Sequence, residues 1–211
     1  MWEAMPSVEG ATVLDIGCGF GGYCAKFVKV GASEVIGIDV SSKMLNRAQM
    51  INSNDRITYL NLAVEDFDFV PEKFDAVISS LTLHYVSNYA EVVKRVYVCL
   101  KASGNFIFSV EHPICTCREK QQWITDEAMN HRYWLVDQYS FEGQRSTDWF
   151  VNGVIKYHRT VETYVMTLIR EGFEILHLAE PIASDTFIRQ NPELKLHSNR
   201  PPILLIKARK K

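Results

Sequence analysis

The apolar residues of the chain alternate between short β-prone runs and longer stretches with the spacing of an amphipathic helix. The short runs predict five strands, at residues 12–16, 34–39, 57–62, 74–79 and 105–110. Helical spacing follows the first strand up to Gly31, follows the second from Ser41 or Ser42, and precedes the fifth up to Gly104. Strands that alternate with helices in this way form a parallel sheet with helices on both faces.

The alternation breaks after residue 110, in a stretch rich in aromatic residues, and we interpret residues 111–160 as an insert that caps the sheet. Helical spacing returns at 161–169, and apolar runs at 173–179 and 203–206 predict two closing strands. Only a polar, proline-containing loop is predicted between these two strands, so the last should pair antiparallel with a neighbour. The predicted fold is α/β: a doubly wound, Rossmann-like, seven-stranded sheet, mostly parallel, with an antiparallel last strand.

The length of 211 residues suits one domain with a core of its own. We predict a single domain over 1–211, with a first half (12–110), the cap insert (111–160) and a closing helix and strand pair (161–211). The 23 basic and 25 acidic residues leave a formal charge of −2, which argues against a dedicated binder of nucleic acid or of an anionic membrane.

The N-terminal sequence and the cysteine spacing bear on the compartment and on metal binding. The chain shows neither a secretory start nor 18 uninterrupted apolar residues, so we expect a cytoplasmic protein. Its five cysteines are an odd number without Cys-x-x-Cys spacing, which predicts reduced, mostly buried thiols and no zinc site.

A glycine-rich turn joins the first strand to its helix. Gly17, Gly19 and Gly22 satisfy G-x-G-x-x-G, and Asp39 stands at the end of the second strand, where a dinucleotide site places an acid for the ribose. The match alone is weak, because a tight turn can need glycine for its backbone angles only. The strand before it, the helix after it and the acid beyond it favour a nucleoside site.

Asp15, two residues before the turn, distinguishes between a dinucleotide and a nucleoside ligand without phosphate. Its negative charge would lie near the position of a dinucleotide's pyrophosphate, at a helix N-terminus that favours anions. An acid at this position suits a ligand that carries a positive amine instead.

Four segments, in order, resemble the motifs of the class I S-adenosylmethionine-dependent methyltransferases, specifically the small-molecule, methyltransferase-11-like type. They are residues 13–21 (VLDIGCGFG), 36–41 (IGIDVS), 74–80 with 83–85 (FDAVISS and LHY), and 100–106 (LKASGNF). The resemblance runs from about Thr12 to the C-terminus, and the closing strand pair also agrees with that family's sheet.

The resemblance implies S-adenosyl-L-methionine as cofactor, bound by the 12–110 half. The cofactor has an ammonium and a sulfonium but no phosphate, which is compatible with Asp15, and Asp39 would accept hydrogen bonds from the ribose hydroxyls. The implied cofactor-binding residues are Asp15, Gly17, Cys18, Gly19, Gly21, Asp39, Val40, Met44, Ala63, Val64, Glu65 and Ser80.

Two departures from the family pattern qualify this expectation. Where many relatives have an acid for the adenine amino group, the chain has Ala63; backbone N–H groups near Val64 would meet the ring, with Glu65 or Asp66 reaching the amine, unless both acids cap the next turn. Only eleven residues precede the first strand. We therefore expect a more open cofactor pocket, weaker binding, or cover from another subunit, as in a homodimer.

Methyl transfer needs aligned reactants more than a nucleophilic residue. If the acceptor must lose a proton, His112 after strand five is the better base candidate, and His84 after strand four helps to shape the pocket; either histidine can also be merely structural. Trp123, Trp134 and Trp149 of the insert are candidates for keeping water from the methyl donor.

The leading interpretation is a methyltransferase that acts on an oxygen, nitrogen or carbon atom of a small molecule, with neither nucleic acid nor membrane as partner. An NAD(P)-dependent oxidoreductase shares the glycine match, although Asp15 and the closing strand pair oppose it. The missing front helices leave a third alternative, a non-catalytic methyltransferase-like subunit that stabilises a partner.

Overall fold

The computed structural model describes residues 1–129, 131–148 and 152–211. Its strands are β1 Thr12–Ile16, β2 Glu34–Asp39, β3 Ile57–Asn61, β4 Phe74–Ser80, β5 Leu100–Glu111, β6 Trp123–Asp126, β7 His131–Trp134, β8 Gly143–Thr147, β9 Val154–His158, β10 Phe173–Ala179 and β11 Ile203–Lys210. Its α-helices are α1 Gly22–Lys29, α2 Ser42–Ile51, α3 Tyr89–Cys99, α4 Pro113–Thr116, α5 Val161–Arg170 and α6 Asp185–Gln190. Short 3-10 helices occupy Trp2–Ala4, Val64–Asp66, Leu83–Tyr85 and Pro192–Asn199.

Seven strands form the main sheet, in the order β10-β11-β5-β4-β1-β2-β3. Strands β1 to β5 pair in parallel, while β11 runs antiparallel to both β5 and β10. The predicted fold is therefore confirmed, including the antiparallel last strand. Because the chain adds β2 and β3 on one side of β1 and β4 and β5 on the other, the order reverses at β1, and a crevice opens there at the carboxyl ends of the strands.

Alternate residues of the central strands face two separate cores. On one face, Leu14 and Ile16 of β1 pack with Val92 and Val96 of α3 and with Leu168 of α5. On the other face, Val13 packs in a core with α1 and Leu45 of α2. This period of two along each strand, with helices on both sides, is what a doubly wound sheet requires.

The segment between β10 and β11 differs from the sequence prediction. A plain loop was expected, but α6 and the 3-10 helix Pro192–Asn199 lie there. Ser184 begins α6 by accepting a hydrogen bond from the Phe187 amide, 3.3 Å away. No residue of α6 is buried, so the helix lacks the apolar periodicity by which a sequence reveals one.

Among its described residues, the insert after β5 contains the short helix α4 and two antiparallel strand pairs, β6–β7 and β8–β9. The residues before β1 form the single turn Trp2–Ala4, which packs on α1: the Trp2 ring lies 5.6 Å from Phe27 and 6.3 Å from Tyr23 between centroids. Within the described residues, no helix combines the length and the apolar character needed to cross a membrane.

Candidate functional site

The glycine turn between β1 and α1 lies at the point where the strand order reverses. Gly17, Gly19 and Gly21 all have positive φ, at 72°, 55° and 77°. A Cβ atom on Gly17 would overlap the Thr82 side chain, and one on Gly21 would overlap Tyr59. The turn therefore needs glycine for its backbone angles and also for the close approach of its neighbours.

Two adjoining cavities of about 510 and 390 Å³ lie at this turn. Both are bordered by Gly17, Gly19, Met44 and Ser80. The larger also has Asp39, Val40, Val64 and Glu65 in its wall, and the smaller has Asp15 and Cys18. The structure thus brings together all of the predicted cofactor residues at the cavity walls except Gly21 and Ala63.

Gly21 and Ala63 hold backbone positions next to the cavities. Gly21 is the N-cap of α1, and Ala63 is the N-cap of the 3-10 helix Val64–Asp66. No side chain caps that short helix, and Glu65 and Asp66 are both exposed, so the capping alternative for the two acids is not what the structure shows. Glu65 lines the larger cavity, whereas Asp66 does not.

Sequence reasoning missed several wall residues. The first two turns of α1 add Tyr23 and Lys26 to the smaller cavity, and the segment after β4 adds Leu81, Thr82 and Tyr85 to the larger one. The signal for the first pair was available, because residues that open a helix after a glycine turn must face its crevice. In the segment after β4, the resemblance of residues 83–85 to a family motif was the available signal, and it drew attention to His84 instead of these three residues.

Asp15 is the most perturbed acid of the site. It is 1% exposed, and its Oδ2 accepts a hydrogen bond from Cys24 Sγ at 3.3 Å. Burial raises the pKa of Asp15 to about 7, although the Cys24 hydrogen bond opposes the rise; nearby Asp39 adds to it. The carboxyl is therefore divided between its two forms near neutral pH, and a cation in the smaller cavity would favour the ionised form.

Asp39 fixes the turn to the end of β2. Its Oδ2 accepts a hydrogen bond from the Gly19 amide at 2.9 Å, and its Oδ1 accepts one from the Ser41 amide at 2.8 Å. Each carboxylate oxygen retains a further lone pair for a ligand in the larger cavity. Asp39 therefore shapes the site as well as lining it.

His112 has both ring nitrogens engaged within the protein. Nδ1 accepts a hydrogen bond from the Ile114 amide at 3.1 Å, capping α4, so Nε2 donates to Glu180 Oε1 at 2.8 Å. Burial lowers the pKa of His112, which its bond to Glu180 partly offsets. His112 is 3% exposed and lies in neither wall of the two cavities, so the structure gives it a capping role and no contact with a ligand there.

Replacing His112 by alanine is expected to cost stability but not turnover. The variant loses a helix cap, worth about 1 kcal/mol, and a buried hydrogen bond to Glu180. Its melting temperature should fall by several degrees, while turnover per folded molecule stays within about twofold of wild type. Loss of turnover with normal cofactor binding and a normal melting temperature would restore the catalytic role.

His84 is also unsuited to accept a proton. Its Nδ1 accepts a hydrogen bond from the Glu111 amide at 3.3 Å, so the neutral ring carries its hydrogen on Nε2. Burial, together with the positive charges of Lys156 and Arg159, lowers the pKa of His84 to about 3. At neutral pH the ring is a hydrogen-bond donor, which agrees with a role in shaping a pocket.

Two tryptophans of the insert, Trp123 and Trp134, do not border the two cavities. Trp123 and Trp134 pair across the β6–β7 hairpin, with ring centroids 5.3 Å apart, and the Arg200 guanidinium lies 3.8 Å above Trp134. They therefore pack with each other and with Arg200, and the structure gives no contact that supports a role in shielding the methyl donor. Trp149 lies outside the described residues.

All five cysteines are buried free thiols, as expected. Across 1–129, 131–148 and 152–211, no group of three or more His, Cys, Asp or Glu side chains is placed to hold a metal ion.

The comparisons with known proteins agree on one family. The model of the methyltransferase domain family matches residues 14–108. The crystal structure of an S-adenosylmethionine-dependent methyltransferase from Mesorhizobium loti superimposes with a TM-score of 0.94 and 41% identity, over 99% of this chain and 95% of that one. An uncharacterised protein of Haemophilus influenzae is 36% identical over 100% of this chain and 85% of its own length.

Curated relatives that match less of their own length differ in acceptor. A ubiquinone biosynthesis O-methyltransferase of Rhodopseudomonas palustris is 34% identical over 48% of this chain and 40% of its own length. A tRNA U34 carboxymethyltransferase of Hahella chejuensis is 25% identical over 74% of this chain and 59% of its own length.

Proposed function

We propose the function of this chain from one premise: it belongs to the class I S-adenosylmethionine-dependent methyltransferases, and is an enzyme that uses S-adenosylmethionine. The proposal is that it transfers the methyl group to an oxygen, nitrogen or carbon atom of a small molecule. The observation that carries the cofactor part of this proposal is the pair of acids, Asp15 and Asp39, in the walls of two joined cavities at the reversal point of the sheet.

The residues present fit this cofactor. A dinucleotide would bring a pyrophosphate to the glycine turn, beside the buried acid Asp15; a methionyl group brings an ammonium there instead. We assign the methionyl end to the smaller cavity with Asp15, and the nucleoside to the larger cavity with Asp39 and Val64. The bound cofactor supplies a methyl group already activated on a sulfonium, so the protein's task is to hold the reactants in line.

A small-molecule acceptor is supported by the charge of the chain and by the resemblance to a ubiquinone biosynthesis O-methyltransferase. A formal charge of −2 offers no long-range attraction for an RNA backbone. The resemblance to a tRNA-modifying enzyme makes RNA the alternative to test. The other two alternatives, an oxidoreductase and a non-catalytic subunit, do not agree with the family.

The test is the fate of a labelled methyl group. The enzyme is incubated with methyl-labelled S-adenosylmethionine and either the protein-free small-molecule fraction of a cell extract or purified total RNA. We expect label in an extractable small molecule and none in RNA. Label confined to RNA would contradict the proposed acceptor, and binding of NAD instead of S-adenosylmethionine in equilibrium dialysis would contradict the cofactor.

The assignment of Asp39 makes a second prediction. Asp39→Ala removes the acceptor for the ribose hydroxyls and also frees the Gly19 and Ser41 amides. Two charge-assisted hydrogen bonds are at stake, so we expect S-adenosylmethionine affinity, measured by calorimetry, to fall about a hundredfold. Asp66→Ala is the matched control, because Asp66 is exposed and lies outside both cavity walls. Equal affinities for the two variants would refute the role of Asp39.

A further inference from the structure

A third cavity, of about 310 Å³, shares Leu81 and Tyr85 with the larger cofactor cavity. Leu81 has a φ of 55°, a left-handed conformation that is unusual for a leucine, and its amide donates to Ser109 O at 2.9 Å. Strained residues of this kind concentrate at binding and catalytic sites. Leu81 and Tyr85 form the wall that the two cavities share. A molecule in the third cavity would therefore lie next to a ligand in the larger cofactor cavity.

Two side-chain donors in the wall of this third cavity, on His84 and Gln121, have no acceptor among the described residues. His84 carries its ring hydrogen on Nε2, because the Glu111 amide occupies Nδ1. The Gln121 side chain also lines the cavity, and its buried Nε2 has no hydrogen-bond partner in the described part of the chain. A buried amide donor without a partner costs about 1–3 kcal/mol, so Gln121 is stabilised by a ligand that brings an acceptor.

The two charged side chains in the cavity wall, Lys156 and Glu111, have opposite signs, and a further positive charge lies behind the wall on Arg159, which donates to the Leu83 carbonyl oxygen next to His84. Lys156 Nζ lies 2.7 Å from Glu111 Oε2, with the lysine side chain only 4% exposed, so these two charges compensate each other. Arg159, 8% exposed, donates to the carbonyl oxygens of Val86 and Ser87 at 2.6 and 2.8 Å, which satisfy its hydrogens without neutralising its charge. An anion is therefore favoured in this cavity over a neutral or cationic group.

We infer that the third cavity binds the methyl acceptor, and that the acceptor is a small carboxylate whose oxygens are held by Gln121 Nε2 and His84 Nε2. This rests on the proposed function and names its acceptor class.

A carboxylate oxygen forms the new O–CH₃ bond while the S–CH₃ bond breaks. The electron pair of the broken bond stays on sulfur, which becomes a neutral thioether. The products are a methyl ester and S-adenosylhomocysteine, and no proton moves. The step therefore needs no base, in agreement with the hydrogen bonding of His84 and His112.

The test compares binding of paired probes to the enzyme saturated with S-adenosylhomocysteine. The probes are benzoate, phenylacetate and hexanoate, each with its neutral primary amide, observed by saturation-transfer NMR. We expect the carboxylates to bind at least about tenfold more tightly than the amides, and Gln121→Glu to weaken carboxylate binding by a similar factor. Gln122→Glu, the matched control at an exposed neighbour, should change neither probe.

Gln121→Leu removes the donor without adding charge and should give an intermediate loss. Circular dichroism and S-adenosylmethionine calorimetry check that the fold and the cofactor site are unchanged in each variant. Amides that bind as well as carboxylates, failure of all three carboxylates to bind at millimolar concentration, or identical results for the Gln121 and Gln122 variants would each overturn the inference.

The chemistry has its own readout. Label transferred from methyl-labelled S-adenosylmethionine to the enzyme's acceptor in a small-molecule extract should be released as methanol by mild alkali, as from a methyl ester. Label stable to alkali would overturn the carboxylate while leaving methyl transfer to a small molecule intact. Absence of S-adenosylmethionine binding to the wild-type enzyme would instead contradict the family's cofactor at this site, so the two failures are distinguishable.

Discussion

Gly17→Ala is expected to remove measurable S-adenosylmethionine binding while the chain remains folded. The new Cβ would lie 2.6 Å from the Cβ of Thr82 and would overlap the rest of that side chain. Alanine would also have to adopt the φ of 72°, at a cost of about 1–2 kcal/mol. Both penalties fall where the two cofactor cavities join, so the turn must shift into the space that the ligand needs. Calorimetry with S-adenosylmethionine measures the loss.

Gly10→Ala is the matched control for this experiment. Gly10 has nearly the same φ, 71°, but no atom lies within 4 Å of the position its Cβ would take. The Gly10→Ala variant therefore has the backbone strain but no steric overlap. Its melting temperature should fall slightly, and its cofactor affinity should be unchanged. The double variant Gly17→Ala, Thr82→Gly removes most of the overlap and should recover part of the affinity. Affinity retained in Gly17→Ala would contradict the proposed position of the cofactor.

The parts of the fold that the sequence predicts are those set by local pattern. The order of β1, the glycine turn and α1 follows from a β-prone run, a cluster of glycines and helical spacing, each visible within about ten residues. Asp15 and Asp39 could be placed in the site because each is tied to the end of a predicted strand. The antiparallel β11 followed from a connection too weakly patterned for a crossover helix, even though α6 lies in it.

The parts that could not be predicted depend on contacts between distant residues. His112 and Glu180 are 68 positions apart, and their hydrogen bond, which engages the Nε2 atom of the ring, has no signature in either neighbourhood. Lys156 and Glu111 pair across 45 positions, because β9 of the insert returns to the end of β5. A third cavity built from such pairs is a property of the tertiary structure, and only the structure locates it.

Asp15→Asn is expected to weaken S-adenosylmethionine binding by about tenfold to a hundredfold above neutral pH, because the variant loses the negative charge that faces the ammonium. The amide oxygen of asparagine can still accept the Cys24 hydrogen bond, so packing around the buried position is retained. Calorimetry over a range of pH is the measurement. Equal affinities for the variant and the wild type at about pH 8 would contradict a charge interaction at this position.

The wild-type affinity should itself depend on pH, with a direction set by the carboxyl. The pKa of Asp15 is about 7 in the free protein, and a bound cation favours the ionised form. Binding therefore releases a proton below about pH 7, and affinity should fall by up to about tenfold for each further unit of acidification. The Asn variant lacks this group, so its affinity should vary less over the same range.

Asp15→Asn should also stabilise the unliganded protein, because the buried Asp15 carboxyl destabilises the folded state when no cation is bound. In the unfolded chain the carboxyl ionises near its ordinary pKa of 3.8, whereas in the folded chain it holds its proton to about 7. Folding thus takes up a proton between these values, and stability falls by up to about 1.4 kcal/mol per unit as pH rises through that window. The melting temperature of Asp15→Asn should exceed that of wild type by a margin that grows up to about pH 7 and then levels off.

Asp75→Asn provides the control of opposite sign. Burial of Asp75 is outweighed by its hydrogen bonds from Lys101 and the Thr12 amide, so its pKa is lowered, and its stabilising effect is present at neutral pH and lost on acidification. Asp75→Asn should therefore lower the melting temperature near neutral pH and leave cofactor affinity unchanged. An acid that destabilises the unliganded protein but strengthens cofactor binding is expected at a site for a cation. Melting-temperature shifts of the same sign in Asp15→Asn and Asp75→Asn would count against that assignment for Asp15.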